Sequence, residues 1–334
     1  MNILEFKDCK YENKHLVGGK CSSLGELYHL SKKYNFHIAD GFAVTTKLFD
    51  DYIKFNNLEK LLEATLKDLQ TTNINEIQSI STIISSKIIN GTFTEDQIND
   101  INEAYTTLCE KYNTPDLEVA IRSSSISEDS SNASFAGQQD TFLNIKGIHN
   151  ILNYIKECIA SLYNTRAISY RISHKIKYED IKISVAVQKM VRSDIGSAGV
   201  AFSLDPETGY NKAVIINSAF GLGELVVSGG VLPDEIICNK ETIKISDDPI
   251  LMKKMGNKNS KIIYKNNGGT KEVKTTETEK NMFSITDKQA IELSKYIFDL
   301  EENYSTLFHK SIAVDIEWGI DGIDKCIYIL RRFV

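Results

Sequence analysis

Val119-Ala-Ile-Arg122 runs into Ser123-Ser-Ser-Ile-Ser-Glu128-Asp129, and beyond Ser134-Phe-Ala-Gly137 the chain resumes as Thr141-Phe-Leu-Asn-Ile145. An apolar run that ends on an arginine, a serine-crowded stretch and a second alternating run predict strand, long polar loop, strand. Serine hydroxyls, backbone N–H groups, a glycine permitting close approach and a planar guanidinium suit a polyphosphate. The same composition also describes a solvated connection, and Glu128 and Asp129 argue against a simple anion trap. Ser125 and Glu128 fit a capping box, so part of the loop can open a short helix.

On the N-terminal side, Val17-Gly18-Gly19-Lys20 precedes a helical pattern with Leu24, Leu27 and Leu30 on one face. A glycine turn feeding a helix N-terminus, with a lysine at its mouth, is a natural anion site, though a plain turn reads the same way. It is not a Walker A loop, because Lys14 and Cys21 stand where glycine and Ser or Thr are required. Gly41-Phe-Ala-Val-Thr-Thr46 predicts a short strand capping a helix that runs to about Asn56. From Leu58 to Tyr112 apolar residues recur at helical spacing, broken at Gly91 and the Thr94-x-x-Gln97 cap. These form a helical layer with no chemistry assigned.

On the C-terminal side, Asn150 to Ser173 predicts one amphipathic helix whose end carries Arg166 and Arg171, read as solvated or salt-bridged. Strands follow at Ile183–Val191, Gly199–Leu204 and Ala213–Asn217. Gly221-Leu-Gly223 lacks the third glycine of a dinucleotide fingerprint, which excludes a Rossmann reading. Residues 251–281, rich in Lys, Asn and Thr, predict an exposed hairpin or loop with a solvated charge run. A helix begins at Thr286, with Ala290, Leu293, Ile297 and Leu300 inward, and the chain closes in a hairpin.

In that hairpin, alternation puts Ile312, Val314, Ile316 and Trp318 on one face and Asp315 and Glu317 on the other. Carboxylates two residues apart on a strand lie roughly 6.5–7 Å apart. At that separation they can share a magnesium ion through waters, or a pair bridging phosphates. An edge strand with a wet acidic face gives the same pattern.

The bulk properties set bounds. The 334 residues suit one large or two closely joined domains. Charged residues make up 25%, with a net charge of -6, so no nucleic-acid surface is predicted. Six cysteines without a C-x-x-C pair fit reduced, mostly buried thiols and argue against zinc. Charges in Met1–Lys10 argue against a signal peptide, and no apolar run is long enough to span a membrane. A soluble cytoplasmic protein is expected.

A lysine at a glycine turn, an arginine-headed loop, a Gln188-Lys-Met-Val191 strand and a C-terminal acid pair together suggest Mg-nucleotide binding. The order and wording of the motifs go further. The chain resembles the N-terminal ATP-grasp domain of phosphoenolpyruvate synthase (pyruvate, water dikinase), whose relatives include pyruvate phosphate dikinase and rifampicin phosphotransferase. The resemblance runs from Val17 to Leu330. It rests on Val17-Gly-Gly-Lys20, Arg122-Ser-Ser, Ala133-Ser-Phe-Ala-Gly-Gln-Gln-Asp-Thr-Phe-Leu-Asn144 and Arg166-Ala-Ile-Ser-Tyr-Arg171. Gln188-Lys-Met-Val191, Asp205-Pro-Glu-Thr-Gly209, Gly221-Leu-Gly-Glu224, Pro233-Asp-Glu235 and Asp315-Ile-Glu-Trp318 add to it. Lys-Lys-Met-Gly256 and Asp321-Gly-Ile-Asp324 look more like the synthase than the antibiotic phosphotransferases.

The resemblance implies an α+β, two-lobed ATP-grasp fold with mixed and antiparallel sheets and a helical N-terminal layer. The lobes are expected at 1–186, with the Ser-rich phosphate loop, and 187–334, with the hinge and the metal-binding hairpin. It also implies roles. Lys20 and Arg122, as the catalytic cations, would hold the ATP phosphates, and Gly137 and Thr141 would line the phosphate loop. Gln188, with the backbone of Met190 and Val191, would meet the adenine. Glu317, helped by Asp315, would carry Mg2+. Such a site works by positioning and charge neutralisation.

Two departures stand out. Where the family follows its last strand with Gln-x-Arg-Pro, this chain reads Arg331-Arg-Phe-Val334, placing a cation on the metal face and removing a phosphate-contacting arginine. One lost charged hydrogen bond costs about 1.5–3 kcal/mol, roughly 10- to 150-fold. Ile126 also replaces the usual loop threonine. In addition, none of the six histidines sits in the family's Thr-Cys-His context. Phosphate would therefore pass to phosphohistidine and pyruvate-binding domains on a separate or missing chain, with no nucleic-acid or membrane partner. A rifampicin-type nucleotide domain and a degenerate nucleotide-binding protein are the alternatives.

Overall fold

The computed structural model describes residues 1–126 and 141–333, Phe333 in its backbone only. Glu128, Asp129, Gly137 and Val334 lie outside them. The chain divides into two units: Met1–Glu26 with Asp40–Met190, and Leu27–Ala39 with Val191–Val334.

In the first unit, five strands form an antiparallel sheet in the order Ile3–Glu5, Gly41–Val44, Ile183–Lys189, Val119–Ser125, Thr141–Ile145. Alternation gives the sheet two different faces. Phe42, Val44, Val119, Ile121, Val185 and Val187 point into a large core with the helical layer, where Leu48, Tyr52, Ile84, Ile101 and Ile155 meet them. Ala43 and Ala186 on the opposite face pack against Phe6, Val17, Cys21 and Leu24. Small residues there let the N-terminal helix approach the sheet.

The helical layer follows the predicted periodicity, with helices at Thr46–Phe55, Glu59–Leu66, Ile74–Ile89 and Glu95–Lys111. The Thr94/Gln97 capping box is formed on both sides. Two expectations need correction. The single helix predicted over 150–173 is two, Ile148–Ser161 and Thr165–His174. The side chain of Asn164 accepts from the Ala167 N–H at 2.8 Å and starts the second, an N-cap hidden inside a continuous apolar rhythm.

The second correction concerns the decisive stretch itself. Ser123, Ser124 and Ser125 are not loop. They extend the strand, opposite Val185, Ser184 and Ile183, and all three are buried. Ladder hydrogen bonds to a distant strand override serine's local preference for turns. Ser125 ends the strand, and the capping box expected with Glu128 lies outside the described residues.

In the second unit, seven strands run in the order Ile250–Lys254, Asp234–Asn239, Ala213–Phe220, Ser197–Phe202, Asp315–Ile320, Ile327–Phe333, His37–Ile38. All neighbours are antiparallel except the last pair, which is parallel, so the sheet is mixed. Helix Asp287–Phe308, capped by Thr286 and Gln289, lays Ala290, Leu293, Ile297 and Leu300 against Val214, Ile216, Ile236, Ile316 and Trp318. A separate hairpin joins Ser260–Tyr264 to Thr270–Lys274, as the 251–281 composition predicts. Lys258 departs from that reading. It is 0% exposed and pairs with the equally buried Asp234 at 2.5 Å. Asp234 also accepts from the Gly256 N–H and from the Ser284 N–H and hydroxyl, so one carboxylate ties three segments together.

The fold is thus α+β, with one antiparallel and one mixed sheet and a helical N-terminal region. Cys9, Cys21, Cys158 and Cys238 are buried, Cys109 and Cys326 half-buried, and no disulfide joins any of them. Among the described residues no helix is long and apolar enough to cross a membrane.

Candidate functional site

Lys20 lies just past a break in the helix assigned to Lys14–Tyr34. Gly18 has φ +70 and ψ 175, far from helical values, so the regular helix begins beyond it. Only glycine adopts that region readily. The space demands glycine as well, because a Cβ there would stand 2.1 Å from the Ser124 carbonyl oxygen.

The Ser124 hydroxyl donates to the Val17 carbonyl at 2.8 Å and accepts from the Cys21 N–H at 3.2 Å, satisfying an otherwise orphaned donor of the first turn. Lys20 Nζ donates to the Ser123 carbonyl at 2.7 Å. The glycine turn and helix mouth predicted from sequence are therefore present. Ser124, however, spends its hydroxyl on fixing that mouth and is not a phosphate ligand. Nothing in the sequence separated it from its neighbours in the serine run.

Strand register brings further predicted residues onto the same side. Ala120 stands opposite Gln188, Arg122 opposite Ala186 and Ser124 opposite Ser184. Arg122, Ser124 and Gln188 thus share the sheet face on which Val17, Cys21 and Leu24 pack. Thr141 stands directly opposite Arg122 on the neighbouring strand. Gln188 is buried at the end of its strand. Beyond it, the Met190 N–H donates to the Glu118 carbonyl at 2.8 Å. The Val191 carbonyl accepts from the Ser193 N–H and the Tyr264 hydroxyl. Those two backbone groups are therefore already used, and the Met190 carbonyl accepts from Lys189 Nζ at 3.2 Å. Gly137, expected to line the phosphate loop, lies outside the described residues.

In the second unit, Asp315 and Glu317 occupy one face of their strand, while Ile316 and Trp318 are buried on the other. Glu317 stands opposite Arg331, and their side chains approach to 3.8 Å. A bulge between Glu317 and Trp318 ends this register. Asp315 Oδ1 is buried and has no hydrogen-bond partner among the described residues. Burial, then the neighbouring Glu317 charge, push the Asp315 carboxyl up to about 6, with Arg331 opposing the shift. Arg332 points the other way, over the Tyr304 ring at 4.0 Å.

An orphaned, half-desolvated carboxylate oxygen beside a second carboxylate fits a hard divalent cation. Among the described residues no group of three or more His, Cys, Asp or Glu could hold a metal. The remaining ligands would have to come from phosphate and water, and Arg331 competes for Glu317.

Comparison with known proteins places these features in context. The sequence family described as pyruvate phosphate dikinase, AMP/ATP-binding domain, matches residues 14–332. The chain is 40% identical over 329 residues to phosphoenolpyruvate synthase of Helicobacter pylori, covering 98% of this chain and 40% of that protein. It is 37% identical over 334 residues to the synthase of Deinococcus radiodurans, covering 98% and 41%. Against the Escherichia coli synthase it is 35% identical over 321 residues, covering 94% and 39%. The chain spans about two fifths of the length of these curated relatives.

Proposed function

The chain belongs to the pyruvate phosphate dikinase AMP/ATP-binding domain family, and from that premise we propose that it is the Mg-ATP-binding half of a phosphoenolpyruvate-synthase-like dikinase. Its phosphate would go from ATP to a histidine on a domain outside this chain, en route to pyruvate. The observation that carries the reading is Lys20 at a glycine-broken helix mouth, tied to the Ser123 carbonyl of the strand that carries Arg122.

In this reading Lys20 and Arg122 hold the nucleotide phosphates and offset charge as it shifts toward the leaving group. Thr141 and Gly137 line the phosphate loop. Gln188 recognises the adenine, and the peptide joining Met190 to Val191 can turn toward the base only where its own bonds allow. Asp315 and Glu317 hold magnesium, which supplies Lewis-acid neutralisation of the phosphates. The chain contributes no covalent step of its own. Its work is orientation and electrostatics, the terms that dominate phosphoryl transfer. The ATP-grasp architecture and a cytoplasmic location are part of the same proposal.

Calorimetry with Mg-ATP tests it. Binding that is lost in Lys20→Ala and in Arg122→Ala supports the reading, and the absence of heat at millimolar ATP ends it. A second reading, a nucleotide-binding protein with a weakened metal site, is favoured by the Arg331–Glu317 approach at 3.8 Å. It predicts ATP binding that hardly responds to magnesium.

A further inference from the structure

Arg171 sits in the last turn of helix Thr165–His174 and is only 5% exposed. Its Nε donates to the Ala167 carbonyl at 3.0 Å, and its guanidinium lies 5.4 Å from the centre of the Tyr163 ring. These contacts account for part of the group. Nη2 is buried and has no hydrogen-bond partner, and among the described residues no carboxylate is paired with Arg171. The sequence reading of a solvated or salt-bridged arginine is therefore incorrect. Burial is the main influence on the side chain and lowers its pKa to about 10.

Arg171 lines a cavity of about 670 Å³ within the first unit, inside the range of small-ligand sites. Leu69, Ile168, Ile172 and Ile176 give it an apolar side. Lys67, Lys175 and Lys177 give it a cationic rim, with Glu179 the one carboxylate among the described lining residues. Lys67 is partly committed to Glu63 at 2.8 Å, while Lys175 and Lys177 are exposed. A desolvated guanidinium with an unused donor is costly unless an acceptor meets it. A planar fork beside a cavity that is apolar on one side and cationic at its rim is suited to an oxyanion.

We propose that this cavity binds a small metabolite with an apolar body and an oxyanion head, the head received by Arg171 Nη2 and drawn in by Lys175 and Lys177. None of these residues is among those assigned to the nucleotide.

The test uses the full chain in a Lys20→Ala background, so that phosphate binding at the nucleotide position does not confuse the result. Inorganic phosphate and malonate are titrated calorimetrically as separate probes, since the head can be a phosphate or a carboxylate. At least one is expected to bind in the millimolar range. Lys175→Glu/Lys177→Glu, which alters only exposed residues, should weaken it by about 10-fold or more, equivalent to about 1.4 kcal/mol. Arg171→Gln should abolish it. If Arg171→Gln does not fold, the rim variant still decides. Phosphate alone binding identifies a phosphorylated ligand, and malonate alone a carboxylate. No binding by either probe overturns the proposal, as does binding unchanged by the rim variant or by a folded Arg171→Gln.

Discussion

Replacing Gly18 with alanine tests how the helix mouth at Lys20 is built. Two costs add. At φ +70 and ψ 175 a non-glycine residue takes on backbone strain of about 1–3 kcal/mol. The new Cβ would also stand 2.1 Å from the Ser124 carbonyl oxygen and 2.5 Å from its hydroxyl oxygen. It must push apart the segment held by the Ser124 bonds to Val17 and Cys21. Each of those bonds is worth about 0.5–1.5 kcal/mol, so the expected loss is about 2–6 kcal/mol.

Gly147→Ala isolates the strain. Gly147 belongs to the same unit and has φ +76 and ψ 144, but the nearest atom to its Cβ position is 4.0 Å away. Urea unfolding followed by far-UV circular dichroism measures both variants. Trp318, the single tryptophan, lies in the second unit, so its fluorescence reports on that unit. Gly18→Ala should be the more destabilised by about 1–3 kcal/mol, the two bonds' share. It should also lose Mg-ATP affinity, because Lys20 follows the turn. Equal destabilisation of the two variants, within about 0.5 kcal/mol, would refute the claim that contact with Ser124 shapes this turn.

Arg331→Gln should strengthen magnesium binding about 10-fold, measured by titration with Mg2+ in the presence of ATP. The attraction it removes is about 4 kcal/mol at an effective dielectric of 20, cut to about 1–2 kcal/mol by solvent screening of this partly exposed pair. Because the Asp315 carboxyl is raised to about 6 in the folded chain, its protonated form favours folding. That contribution is fully present below the unfolded value near 4 and is lost as pH rises through about 6. With chelator present, Asp315→Asn should therefore match the parent near pH 4 and exceed it in stability above pH 6, read from unfolding curves across that window. Lys258→Met strands the buried Asp234 charge and should cost the second unit about 3–5 kcal/mol. Adding Asp234→Asn should recover part of that loss, read as the Trp318 fluorescence transition in urea.

Periodicity exposed what depends on neighbours in sequence. The helical layer, the Thr94 and Thr286 caps and the alternation of Asp315 and Glu317 all stand where local pattern puts them. What escaped depends on partners far along the chain. Ser123–Ser125 are strand because residues 183–185 pair with them. Lys258 is buried because Asp234 meets it, and Arg171 because Tyr163 and the cavity wall enclose it. Charge and hydroxyl content signal exposure by default, and a single long-range partner reverses that default. In the candidate site, residue types and strand parity were legible. The division of labour was legible only in part: Arg331 stands on the metal face where strand parity put it and meets Glu317, whereas no local pattern shows that Ser124 serves the helix mouth.

The parallel pair between His37–Ile38 and Tyr328–Ile329 has a consequence for synthesis and for fragments. The edge strand of the second unit is made 291 residues before its partner, since His37 pairs with Tyr328. During translation it must wait for that whole stretch, and closing so long a loop is slow as well as entropically costly. A chaperone that shelters Leu27–Ala39 would shorten exposure of that unpaired edge. A fragment started at Val191 for crystallisation would lack it altogether. Supplying residues 27–39 as a separate peptide should restore the missing edge and raise the melting temperature of such a fragment.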